Sequence, residues 1–175
     1  MGKNLDRNKL EKYIKNIKEK EYIKKKIDDW DDYFMELLQV IKQRSSCIHR
    51  KVGAVIVRNN RILATGYNQP PSGFPHCDII PCIRDELGIL SGENQEICFA
   101  AHAEQNAITQ AARFGISTEG AKIYVTHKPC SVCARLIINS GINEVIFMND
   151  YPDALTDYLF STSKIKYRIY QKSGG

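Results

Sequence analysis

No stretch of this sequence stays apolar long enough to cross a membrane as a helix, so no transmembrane span is expected. The first 26 residues also lack the apolar core of a secretory signal, being rich in lysine, and a cytoplasmic location is expected. In a reducing compartment, the six cysteines are expected to bind metal rather than pair as disulfides. No internal repeat is evident. Excess positive charge is missing from most of the chain as well. Residues 1–26 hold ten Lys/Arg against four Asp/Glu, while the remainder holds 15 against 16. The larger part therefore has no bulk charge to grip a polyphosphate, and nucleic acid is not expected as a partner. The basic start reads as a solvated helix in which Leu10, Ile14 and Ile17 alternate with Lys12, Lys15, Lys18 and Glu19. It is read as an extension over residues 1–28, and residues 29–175 are long enough for one domain with its own core.

Trp30, Phe34, Leu37, Leu38 and Ile41 recur at helical spacing behind Asp28 and Asp29, which are candidate caps. Lys51 to Arg58 reads as a strand rich in β-branched residues. Asn59-Asn60 reads as a turn and Arg61 to Tyr67 as the returning strand of a hairpin. Residues 68–99 carry four of the six prolines and three cysteines, and read as a long loop held by something other than regular structure. Helices are then expected over Ala103–Phe114, Cys130–Ser140 (with Pro129 in its first turn) and Asp153–Phe160. Strands are expected over Ala121–His127, Glu144–Met148 and Ile165–Tyr170. Such alternation after a hairpin predicts an α/β fold with a mixed sheet and helices on its faces.

His102-Ala103-Glu104 stands upstream of Pro129-Cys130-Ser131-Val132-Cys133. One imidazole and two thiolates make a zinc site with a fourth position open for water. A zinc so held brings the pKa of its water near neutral, and Glu104, a carboxylate with no ligand role, can take that proton. A lone C-x-x-C also suits structural zinc or a redox pair, but both motifs in this order fit the H-x-E…P-C-x-x-C pattern of zinc nucleobase deaminases, and the identification rests on matching that pattern. On an ideal helix, positions 102 and 104 lie about 200° apart, so both side chains reach one substrate only if the metal sits over the first turn.

With these residues the chain resembles the zinc-dependent cytidine deaminase superfamily, and within it the deoxycytidylate (dCMP) deaminases. The likeness runs over roughly residues 34–151. It is carried by Ser46-Cys47 through Lys51-Val52-Gly53-Ala54-Val55, by Ala64-Thr65-Gly66-Tyr67-Asn68, by Pro71-Ser72-Gly73 with His76-Cys77, by His102 through Ile108, and by Tyr124-Val125-Thr126 with Pro129 through Cys133. The resemblance implies a three-layer sandwich around a five-stranded mixed sheet, usually assembled as hexamers. It implies His102, Cys130 and Cys133 as zinc ligands, Glu104 as proton shuttle and Asn68 as a contact to the sugar hydroxyl. The implied reaction is hydrolytic deamination of dCMP to dUMP by zinc-activated hydroxide, supplying dUMP for thymidylate synthesis, with dCTP and dTTP as magnesium-dependent effectors.

Three positions depart from the family pattern. His49 stands where an arginine is common, although Arg50 is adjacent; Phe99 replaces an arginine or polar residue; Gln69 replaces a glycine. Phosphate recognition then falls to Arg50, His49, Arg84 or an arginine from a neighbouring subunit. Arg113 is similar to an arginine near effector and subunit contacts, and reads equally as a surface arginine. Relatives of this kind can carry a second, structural zinc, for which Cys47, Cys77, Cys82 and Cys98 are the candidate ligands and His76 a substitute. A closed zinc would stabilise the proline-rich loop directly. Free buried thiols or a disulfide remain the other readings. The alternative functions are deamination of another cytosine nucleoside, nucleotide or base, and a zinc-stabilised, competence-related DNA-associated binding protein.

Overall fold

The structure, a computed structural model, describes residues 6–19, 27, 29–90 and 92–173. Its helices are α1 (Arg7–Glu19), α2 (Trp30–Ile41), α3 (Ile83–Glu86), α4 (Ala103–Arg113), α5 (Ser131–Asn139) and α6 (Ala154–Thr162). The strands are β1 (Gly53–Arg58), β2 (Arg61–Tyr67), β3 (Lys122–His127), β4 (Glu144–Asn149) and β5 (Lys166–Ile169).

Local sequence accounts for most of these boundaries. Asp29 caps α2, its carboxylate accepting from the N–H groups of Asp31 at 2.8 Å and Asp32 at 3.1 Å. Asp28 lies outside the described residues. Asn59 and Asn60 both take the left-handed conformation, with φ of 51° and 57°, which suits a tight hairpin whose twist matches its strands. Strand β1 starts at Gly53, two residues later than expected, because the Val52 N–H donates to the Asn68 side chain. Pro129 is not in the first turn of α5: Cys130 is the extended N-cap residue, and Pro129 precedes it.

The strand order is β2-β1-β3-β4-β5. β1 is antiparallel to β2 and β3, while β3, β4 and β5 run parallel. On one face Val55, Val57, Tyr124 and Ile146 pack on Phe34, Met35 and Leu38 of α2. On the other, Ala54, Ile56, Ile123, Val125 and Val145 meet α4, α5 and α6 through Ala103, Ala107, Ala111, Ala134, Ile137 and Phe160. This is the expected three-layer sandwich. The alanines let α4 lie close, and Gly66 lets β2 meet it: a Cβ there would stand 2.1 Å from the Ala103 carbonyl oxygen and 2.5 Å from the Ala107 nitrogen.

In α1, Leu10, Tyr13 and Ile14 are exposed. Segment 68–99 holds more structure than expected: α3, a 3₁₀ turn at Gln95–Ile97, and paired ends. Gln69 and Ala101 exchange backbone hydrogen bonds at 3.3 and 3.0 Å, and Phe74 packs on Phe99 with ring centres 4.9 Å apart. Among the described residues no helix is long and apolar enough to cross a membrane.

Candidate active site

The starts of α4 and α5, on one face of the sheet, bring the two motifs together. His102 is the N-cap residue of α4, with extended backbone (φ −69°, ψ 159°). It therefore escapes the helical spacing that would turn it away from Glu104 in the first turn. The Gln105 side chain accepts from the His102 N–H at 2.7 Å and fixes that cap. Asn106 donates to the Tyr67 carbonyl at 2.8 Å and ties α4 to the end of β2. His102 Nδ1 lies 3.5 Å from Cys130 Sγ and 3.3 Å from Cys133 Sγ. All three ligand atoms fall within 4.8 Å of one another.

That set fits zinc. Tetrahedral bonds of about 2.3 Å to sulfur and about 2.0 Å to nitrogen put nitrogen and sulfur roughly 3.5 Å apart. The chain supplies one nitrogen and two sulfurs at that spacing. Within the thiol pair, the hydrogen bond from Cys133 and then that with His102 pull the Cys130 thiol down to about 4 against its burial. Cys133 is pushed up by sharing its proton with Cys130 and by burial. The same hydrogen bond with Cys130 raises His102 above the ordinary imidazole value, against burial. Glu104 is only 4% exposed. Burial lifts its carboxyl above the usual range, with His102 and a contact to Cys133 opposing.

His102, Glu104 and Cys130 line a cleft of about 450 Å³ whose wall also includes His49, Arg50, Arg84 and Lys128. Three of these side chains are engaged. His49 Nε2 meets Asp85 at 2.9 Å, Arg84 donates to the Leu90 carbonyl, and Lys128 is paired with Asp157 at 2.6 Å. Arg50 is exposed, and among the described residues its guanidinium has no hydrogen-bond or ion-pair partner. Asn68 is committed to the backbone at both ends of its amide: Oδ1 accepts from Val52 N–H and Nδ2 donates to the Arg50 carbonyl, each at 2.8 Å. One N–H and one lone pair of that amide remain for a ligand. His127, not anticipated from sequence, lines the cleft. Burial, then the charges of Arg50 and Lys42, hold its imidazole below the ordinary value.

The remaining cysteines all line the same cleft. The Cys77 thiol is pushed up first by burial, then by the proximity of Cys98, Cys47 and Cys82, and its N–H donates to Ser46 Oγ at 3.4 Å. Yet no three of the four sulfurs lie within 4.8 Å of one another. Cys82 instead makes such a group with His49 and Asp85. His76 is exposed and belongs to neither group, and Arg113 is exposed on the last turn of α4. Phe99 packs at a tilt on Phe74 within the loop, so it acts there as an apolar clasp.

Fold and site together place the chain in the cytidine deaminase-like class. More narrowly, it belongs to the MafB19-like deaminase family, whose model matches residues 28–174. It is 37% identical over 142 residues to the deoxycytidylate deaminase of Schizosaccharomyces pombe, covering 81% of this chain and 44% of that protein. It is 40% identical over 122 residues to ComE operon protein 2 of Bacillus subtilis, covering 70% of this chain and 60% of that protein. The chain thus spans about half the length of these curated relatives. Among solved structures it is similar to dCMP deaminase of the cyanophage S-TIM5 in complex with dCMP and dUMP. There the TM-score is 0.68 at 28% identity, over 83% of this chain and 99% of that one.

Proposed function

We propose that the chain catalyses hydrolytic deamination of dCMP to dUMP and ammonia, supplying dUMP for thymidylate synthesis. Residues 29–175 form the deaminase domain and residues 1–28 an extension. The observation that carries this reading is Glu104, a buried carboxylate beside an N/S₂ ligand trio at the end of an open cleft. His102, Cys130 and Cys133 would hold zinc, which when bound acidifies a water and polarises its oxygen. Glu104 accepts a proton from the attacking water and gives it to the ring nitrogen beside the reacting carbon, then takes the remaining hydroxyl proton of the tetrahedral adduct and delivers it to the amine, which leaves as ammonia. One carboxylate serves all four transfers because they alternate in direction. Burial raises its affinity for protons, which suits a group that must hold one between transfers. Asn68 contacts the sugar, and Arg50 is the rim cation best placed for the phosphate, because His49, Arg84 and Lys128 already have partners. A charge-assisted arginine–phosphate contact favours dCMP over deoxycytidine.

Cys47, Cys77, Cys82 and Cys98 would hold a second, structural zinc after a small contraction of the loop. A hexameric assembly and control by dCTP and dTTP with magnesium complete the reading, and sedimentation with and without these nucleotides tests both. The main test is ammonia release from dCMP, deoxycytidine, cytidine and guanine. The expected result is a clear preference for dCMP that is lost in Arg50→Ala. Equal efficiency on dCMP and deoxycytidine would reject the monophosphate assignment.

The basic α1 supports a second reading, a DNA-associated binding protein, and the likeness to ComE operon protein 2 leaves that reading open. The buried Glu104 speaks against it, since a purely structural site has no use for that carboxylate. Salt-dependent DNA binding that disappears on removing residues 1–26, with no ammonia released from any of these substrates, would favour it.

A further inference from the structure

We propose that the first turn of α6 braces the metal-ligand turn, with Asp153 as a positioning residue and Thr156 as its second contact. The segment between β3 and α5 has no regular structure until Ser131, yet it must set the Cys130 sulfur against His102. Its restraint comes from the end of β4 and the chain beyond it. One Asp153 carboxylate oxygen accepts from Thr156 N–H at 3.0 Å and caps α6 itself. The other accepts from Ser131 N–H at 2.9 Å, the first N–H of α5. A single carboxylate therefore caps two helices. Thr156 is fully buried, and its hydroxyl donates across to the Pro129 carbonyl at 3.2 Å. Lys128 completes the set: its N–H donates to the Asn149 carbonyl at 2.9 Å, and its ammonium meets Asp157.

Residues 128, 129 and 131 are thus each tied to the 149–157 segment, and Cys130 is held from both sides. Capping α6 requires only one Asp153 oxygen and no Thr156 hydroxyl. The second oxygen and the hydroxyl both reach the ligand turn, which is why the function assigned here is positioning and not helix stability alone. Partners of this outer kind orient metal ligands, and their loss typically weakens metal binding or activity about 10- to 100-fold.

The inference rests on the zinc reading of the site. The test is zinc affinity of the full chain, by competition with a chromogenic chelator, beside urea unfolding of the zinc-free protein. Asp153→Ala is expected to weaken the His102–Cys130–Cys133 zinc by about 10- to 100-fold, and Thr156→Val by the lower end of that range. Asp153→Asn keeps one acceptor oxygen and should fall between Asp153→Ala and wild type. Asp29→Ala removes a comparable cap from α2, on the opposite face of the sheet, and is expected to lower stability while leaving zinc affinity unchanged. Wild-type zinc affinity in folded Asp153→Ala and Thr156→Val would overturn the brace. So would an equal loss of affinity in Asp29→Ala, which would make the effect one of general stability. If Asp153→Ala does not fold, Thr156→Val decides alone. A wild-type chain that takes up no zinc would overturn the metal reading and the brace together.

Discussion

His102, Cys130 and Cys133 close to within 4.8 Å on the starts of two helices, whereas Cys47, Cys77, Cys82 and Cys98 gather around the same cleft without closing. The difference lies in what carries each set. α4 and α5 are pinned to the sheet by Ala103, Ala107, Ala134 and Ile137, all fully buried, so the first set is carried by helices packed into the core. Three of the second set, Cys77, Cys82 and Cys98, lie instead in the 68–99 segment, which is clasped by Phe74 on Phe99 and by the backbone pairing of Gln69 with Ala101, while Cys47 comes from the chain before β1. Four sulfurs around one zinc lie about 3.8 Å apart, so closing this set requires the loop to contract onto the ion. A preformed site uses metal for chemistry; a loose one uses metal for folding.

The sharpest separation of the two regions comes from Glu104→Gln. It should retain its full zinc and fold while turnover falls on the order of a hundredfold to ten-thousandfold, the usual cost of losing a general acid–base. Wild-type rates in a metal-replete mutant would end the assignment. Next in size, Gly66→Val should break the support of the first set from behind. Its Cβ would collide with the backbone of Ala103 and Ala107, which cannot yield as a side-chain tip can. A loss of about 3 kcal/mol is expected in urea unfolding, together with weaker zinc binding.

The loop set is probed by Cys98→Ser. Metal analysis should fall from two zinc ions per chain to one, and cleavage of residues 68–99 by protease should accelerate. Turnover should drop by no more than about tenfold, as for a change outside the reacting groups. One zinc per chain in the wild type, with four titratable thiols after unfolding, would remove the second site.

The smallest effect belongs to the sheet's far face. Hydrogen bonding to the Asp32 N–H leads the causes that hold Asp29 below the ordinary carboxylate value of 3.8. Its folded pKa is depressed, so its contribution is fully present above that value and is lost as pH falls through the lower folded one. Asp29→Ala should cost about 1 kcal/mol near neutrality, and the gap to wild type should close in acid.

Much of this was legible in the chain itself. The hairpin at Asn59-Asn60, the amphipathic α2, and the alternation that follows specify a mixed sheet with helices on both faces, because period and turn chemistry are local properties. His102, Glu104, Cys130 and Cys133 were legible because zinc chemistry allows few residue types at few spacings. Gln105 could have been read too, as a glutamine three residues into a helix behind its cap. Other features depended on contacts between distant segments. That His102 escapes the 200° problem follows from its extended backbone at the cap. That Arg50 keeps a guanidinium without a partner among the described residues, while His49, Arg84 and Lys128 are engaged, follows from which segments meet at the cleft. Asp153 reads in sequence as an ordinary helix cap; only packing of α6 against α5 gives its second oxygen the Ser131 N–H. Sequence by itself determined the architecture and the candidate ligand types, since both depend on residue identity at short spacing. Tertiary structure decided which of the remaining polar groups are spent on the backbone and which are left for a ligand, since a hydrogen bond is assigned only when both partners have arrived.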